Sequence, residues 1–163
     1  MQYWLLILSL HIAFSGIWLV NFIADPIFRN SITKAKGKAG EDNLISLYLR
    51  VVNLLGMLGA LGILITGIIL VLINPGYQFF QFSANHWLTT KQIIMIVILI
   101  LLGWKLIPTA KKLRLSITND LNSPVEDKTE VHNNLKKLYS LNFQMNILVL
   151  LNFLLAITRF FYS

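Results

Sequence analysis

The chain contains no cysteine, which excludes disulfides, thiolate metal sites and thiol nucleophiles. Charge is scarce: 13% of the 163 residues are Asp, Glu, Lys or Arg, against roughly 25% in a soluble domain. Acidic residues are the scarcest of all, and no apolar run encloses one; Asp25 stands only at an edge. Cation-driven carriers and pumps are built around intramembrane carboxylates, so their signature is missing. A phosphate-binding loop and a His-Glu-x-x-His pair are absent as well. The first apolar run has no basic segment before it and no small-x-small cleavage site after it, and it reads as a retained helix.

What the chain does have is apolar length. Hydrophobic residues make up 56% of it. They concentrate in four runs, at about 3–23, 51–73, 87–107 and 139–158. Each run gives a helix of about 30 Å, one bilayer crossing. Lipid offers no partners to free backbone groups, so a lone spanning segment must be helical. The expected fold is all-α, a single integral membrane domain over 1–163 built as a four-helix bundle. Twelve of the fourteen basic residues fall between runs one and two (Arg29, Lys34, Lys36, Lys38, Arg50) or from the inner end of run three to the start of run four (Lys105, Lys111, Lys112, Arg114, Lys128, Lys136, Lys137). That asymmetry puts both basic loops in the cytoplasm and both termini outside, as in a multi-pass protein of a bacterial inner membrane. It accounts for the net charge of +7 without nucleic acid, and the basic rims suit anionic membrane lipids.

Punctuation marks the connections. Asp25-Pro26 is expected to bend or end the first helix, and 30–42 reads as a loop with Gly37 and Gly40. The second helix starts around Glu41 and stops at Asn74-Pro75-Gly76. The third runs from about Trp87 to Leu113 with a break at Pro108. Ser123-Pro124-Val125-Glu126 has the pattern of an N-cap, an N1 proline and an N3 glutamate, opening a helix that leads into the last span, with 115–137 as a polar cytoplasmic stalk. Tyr77, Phe79, Phe80, Phe82 and Trp87 suit an aromatic belt at the headgroups.

Two ionisable residues interrupt the apolar runs: His11 and Lys91. At ~1.5 Å per residue His11 lies roughly 12 Å below the outer face, Lys91 near ~7 Å and Asn152 near ~10 Å, with Thr66 and Gly67 at a similar level. This layer is the candidate site. Imidazole ligates iron and carries protons. Lys91 either snorkels to the headgroups or anchors an acidic group such as a porphyrin propionate. Gly56, Gly59, Gly62 and Gly67 in run two allow close approach of another helix or of a planar cofactor. Asn142, Met145, Asn146, Val149 and Asn152 form an inward stripe on the last helix, for interhelical hydrogen bonds or for a ligand. His86 is placed at the interface and His132 on the stalk. The methionines, Met57, Met95 and Met145 among them, are scattered, without the spacing of a copper site.

Several segments resemble those of HemJ-type protoporphyrinogen oxidases and the related copper-resistance D-like membrane proteins. These are Leu10-His11 followed by Gly16-Ile17-Trp18, Leu49-Arg50 leading into a glycine-containing span, His86-Trp87-Leu88-Thr89-Thr90-Lys91, and Leu138-Tyr139-Ser140-Leu141-Asn142. The family carries Glu and a proline after the last-helix asparagine, where this chain has Phe143 and Gln144. The resemblance implies haem b as cofactor, with His11 and Lys91 as the functional pair. The leading expectation is a b-type haem protein with redox or porphyrin chemistry. His11 would be the metal ligand and Lys91 an anchor. Gly62, Thr66, Gly67 and Asn152 would line the site, and a quinone could take electrons. The alternatives are a non-catalytic accessory subunit, as homo-oligomer or within a larger membrane complex, and copper or small-solute transport.

The cysteine-free background makes topology directly measurable. A single cysteine at Lys38 or Thr118 should react with a membrane-impermeant maleimide only from the cytoplasmic side, and one at Gln78 only from outside. The reverse pattern would invert the assignment.

Overall fold

The computed structural model describes residues 2–83, 85–121 and 128–158. Its elements are α1 (Gln2–Leu19), α2 (Asn21–Ala35), α3 (Glu41–Ile73), α4 (His86–Leu101), a π-helical turn (Leu102–Leu106), α5 (Ile107–Leu121) and α6 (Thr129–Thr158). Taken through their joins these make four continuous helical stretches, here called rods, Tyr3–Ala35, Glu41–Ile73, His86–Thr118 and Thr129–Thr158, each long and apolar enough to cross a membrane. No strand occurs among the described residues.

The rods are longer than the apolar runs. Thirty-three helical residues span about 50 Å, some 20 Å more than a hydrocarbon core. The surplus lies at the end carrying the basic residues, here called the basic end; the opposite end carries the termini. Two expected interruptions are therefore corrected. The helix does not stop at Asp25-Pro26 but runs through Pro26 to Ala35, leaving only 36–40 as the connection. Nor does Pro108 break the third rod, since α5 contains it. A proline inside a helix lacks an N–H and crowds the carbonyl four residues earlier. Each proline here lies downstream of an irregular turn. At Val20 the carbonyl accepts from both Ile23 N (3.0 Å) and Ala24 N (2.9 Å). Before Pro108 the π-turn at 102–106 sends Ile107 N back to Leu102 O. The expected cap at Ser123–Glu126 lies outside the described residues.

The closest helix pair is α1 on α3, and glycines make it possible. A Cβ built on Gly59 would stand 2.9 Å from Trp18 Cβ, and one on Gly62 would fall inside the Phe14 ring. On Gly67 it would come within 3.3 Å of His11 Cε1, and on Gly56 within 3.9 Å of the Asn21 amide nitrogen. As numbers rise along α3 they fall along α1, the register of an antiparallel pair whose small residues receive the partner's large ones.

The basic end is held by polar contacts. Asp25, only 4% exposed, accepts from Tyr48 Oη at 2.7 Å and pairs with Arg29 at 2.5 Å. Asn142 Nδ2 donates to the same Tyr48 oxygen at 2.7 Å. Arg29 donates to Tyr139 O at 2.6 Å and lies 4.5 Å over the Tyr139 ring. The knot joins α2, α3 and α6. Beyond it Glu41, 1% exposed, meets His132 Nε2 at 2.7 Å and accepts from Gly37 N at 2.9 Å. Asp42 pairs with Lys128 at 2.8 Å. Glu41 stands ten residues, ~15 Å, before the apolar part of α3 begins. Burial acts to raise its carboxyl pKa, but the hydrogen bonds from His132 and Gly37 and the charges of His132 and Lys128 outweigh it and hold the group below its ordinary 4.5.

Two outcomes follow from these contacts. Gly62→Val should cost about 1–3 kcal/mol by overpacking against Phe14; Phe14→Ala should restore most of that loss, and thermal melts of the two single variants and the double check it. Because the Glu41 pKa is lowered by folding, its contribution to stability is full above about pH 4.5 and disappears as pH falls through the lowered value. Glu41→Gln should therefore melt below the wild type at pH 6 and approach it at pH 3.

Candidate functional site

One face of the first rod carries a polar handle at every turn: His11, Ser15, Trp18, Asn21, Asp25 and Arg29, spaced three or four residues apart. In a bilayer such a face must point into protein, and it does. Trp18 Nε1 donates to Asn146 Oδ1 at 3.3 Å, Ser15 Oγ to His11 O at 2.8 Å, and Asp25 and Arg29 enter the knot described above.

At the terminal end His11 lies against α3. Its Nδ1 is 2.8 Å from Thr66 Oγ1. The Thr66 hydroxyl hydrogen is directed at Gly62 O, 2.5 Å away, so the hydroxyl oxygen is the acceptor and Nδ1 carries the hydrogen. That assigns the tautomer: Nε2 keeps its lone pair. Gly67, one residue beyond Thr66, lets the imidazole come close to the α3 backbone.

Lys91, on α4, is near enough for its charge to act on the His11 ring. Its Nζ sits 5.9 Å from the centre of the Trp87 ring. Asn152 Nδ2, on α6, donates to Lys91 O at 3.3 Å, while Asn152 Oδ1 is buried without a hydrogen-bond partner. The structure therefore brings together His11, Thr66 and Gly67 on one side and Lys91 and Asn152 on the other. Between the sides runs a seam: α4 packs along α6 but makes little backbone contact with α1 or α3. Gly62 is not part of this seam, because its open side is filled by Phe14. The slot expected there is a helix contact.

The other histidines lie apart. His86 is exposed at the start of α4, and His132 is engaged by Glu41. Among the described residues no group of three or more His, Asp or Glu side chains is arranged to hold a metal ion. An imidazole with one ring nitrogen hydrogen-bonded and the other carrying a lone pair has the donor chemistry of a metal ligand. Sequence reasoning passed over three groups. The Asp25–Arg29–Tyr48 knot was legible in the three- and four-residue spacing that leads from His11 to Arg29. Trp4 and Gln92, whose Nε1 and Nε2 are buried without partners, gave no signal beyond lying one helical repeat from His11 and next to Lys91.

Comparison with protein-family models, with curated proteins and with solved structures finds no match to this chain.

Proposed function

We propose that the chain is a multi-pass membrane protein that binds haem b and carries out redox or porphyrin chemistry, with HemJ-like protoporphyrinogen oxidation as the candidate reaction. The observation that carries the reading is the hydrogen bond from His11 Nδ1 to Thr66 Oγ1. It leaves Nε2 unprotonated in a dry bundle beside a seam between helices. In this reading Thr66 orients the ring and Gly67 gives it room. Lys91 supplies positive charge for an acidic substituent, and Asn152 offers a hydrogen-bond acceptor. Haem held there would contribute a one-electron iron couple, and a membrane quinone is the acceptor class consistent with a protein of this build. Both termini lie outside a bacterial inner membrane in this proposal, and the basic end faces the cytoplasm.

A second reading has its own support. The glycine face of α3 is filled within the chain by Phe14 and Trp18 and is not open to a partner, but large apolar side chains such as Met57, Leu61 and Trp104 are exposed along the rods. In this second reading the chain is a non-catalytic subunit of a larger membrane complex or an oligomer. Copper transport has less support, given the missing ligand cluster.

The visible spectrum of the purified protein separates the readings. The haem reading expects a Soret band that disappears in His11→Ala and haem retention about tenfold weaker in Thr66→Val, since removing an outer-shell partner of a ligand typically costs 10–100-fold. A colourless protein that stays folded after haem is supplied and co-purifies with large partners establishes the accessory role. Copper retained without porphyrin would favour transport.

A further inference from the structure

The outward face of α3 changes character at the edge of the apolar run. Ser46, Arg50 and Asn53 stand four and three residues apart, so they are neighbours on one face of the helix. Ser46 and Arg50 are exposed and Asn53 is half-buried. Among the described residues none of the three side chains has a hydrogen-bond or ion-pair partner. The nearest carboxylates along α3, Glu41 and Asp42, are engaged by His132 and Lys128, and the Arg50 charge is left uncompensated. The same face continues as Leu54, Met57 and Leu61, which are 55%, 57% and 52% exposed. A polar strip therefore runs straight into an apolar ridge.

Position along the helix matches that change to the layers of a bilayer. α3 ends at Ile73; counted back from there, Asn53 lies ~30 Å along the axis, Arg50 ~34 Å and Ser46 ~40 Å. A hydrocarbon core is ~30 Å thick, which sets Asn53 at its boundary, Arg50 at the phosphates and Ser46 among the headgroups. Each group suits its layer. The Asn53 amide is level with the ester carbonyls of a glycerolipid. A guanidinium grips a phosphate with two parallel hydrogen bonds. The Ser46 hydroxyl can exchange hydrogen bonds with a hydroxylated head. We infer that Ser46, Arg50 and Asn53 hold the headgroup of an anionic glycerophospholipid of the phosphatidylglycerol class, in the leaflet at the basic end, with an acyl chain lying along Leu54, Met57 and Leu61. A lipid, and not free phosphate, is the ligand because the strip and the ridge are continuous. The site rests on the membrane-spanning part of the proposed function and not on haem, so a colourless protein leaves it standing.

The test titrates the full-length protein in detergent with phosphatidylglycerol or phosphatidylcholine of identical acyl chains and counts bound lipids by native mass spectrometry. Phosphatidylglycerol should bind about tenfold tighter, the worth of a charge-assisted hydrogen bond, since a choline head adds a cation and no donor. Arg50→Gln should abolish that preference. Arg50→Lys, which keeps the charge but loses the fork, should reduce it about threefold. Ser46→Ala should also reduce it about threefold and serves as the second variant should Arg50→Gln misfold. Lys34→Gln and Lys136→Gln remove an exposed positive charge elsewhere and should leave the preference within about twofold. Glycerol phosphate, a head without chains, should not displace the lipid. Displacement by it at equal concentration would make the strip a free-phosphate site and overturn the lipid assignment. A dimer that Arg50→Gln dissociates would give the face to a second copy and overturn it as well. So would equal binding of the two lipids by the wild type, or a loss in Lys34→Gln and Lys136→Gln as large as in Arg50→Gln, which would reduce the effect to net charge.

Discussion

Hydrocarbon cannot solvate a polar side chain, and from that constraint the arrangement of this bundle follows. The first rod carries six polar-handled residues along one face, His11 to Arg29. Those that bond across to a neighbouring rod fix both the rotation of the helix and the identity of its neighbours. Trp18 meets Asn146 on α6, Asp25 meets Tyr48 on α3, and His11 meets Thr66 on α3. A rotation of the rod by one residue would break all three sets together. Apolar packing alone has no such selectivity in lipid, because acyl chains are as apolar as leucine.

Small residues then decide how closely each pair approaches. α3 has Gly56, Gly59, Gly62 and Gly67 on the side that meets α1, and the two backbones come close enough for Trp18 and Phe14 to fill the space of absent side chains. α4 has no such glycine row within His86–Leu101; Ile93, Ile96 and Val97 are exposed and Ile98 is buried. The close helix pair is the one whose glycines receive the partner's large side chains, while α4 packs along α6 and makes little backbone contact with α1 or α3.

Much of this was legible in the sequence, and the limits have physical causes. Four runs of apolar residues gave four rods, and the stripe through Asn142, Asn146 and Asn152 gave three interhelical hydrogen bonds. The layer shared by His11, Thr66, Lys91 and Asn152 followed from rise per residue alone. Helix ends were harder. Pro26 and Pro108 carry strong breaker signals, yet the helix continues through each, with the irregularity displaced to a turn upstream, at Val20 and at 102–106. The glycines were ambiguous in principle: a helix and a planar ligand both need a surface without side chains, and only the position of the Phe14 ring distinguishes them at Gly62. Trp4 and Gln92 could not be found at all, since an unpartnered atom is a property of what surrounds it.

The two ends of the bundle are built for different tasks. At the basic end, surplus helix length beyond the hydrocarbon brings Asp25, Arg29, Glu41, Asp42, Lys128 and His132 into paired contacts. Buried pairs of this kind are costly to break once formed, because separation strands a charge. At the terminal end the charge of Lys91 acts on the His11 ring across the seam. Polar atoms of Trp4, Gln92 and Asn152 are buried there without partners. Unpartnered atoms are not confined to that end, since Arg29 Nε, Asp42 Oδ1 and Tyr139 Oη are buried without partners at the basic end; what separates the two ends is ion pairing, present at one and replaced at the other by the neutral contact of His11 with Thr66. That contact is held in place because both residues belong to the closely packed α1–α3 pair.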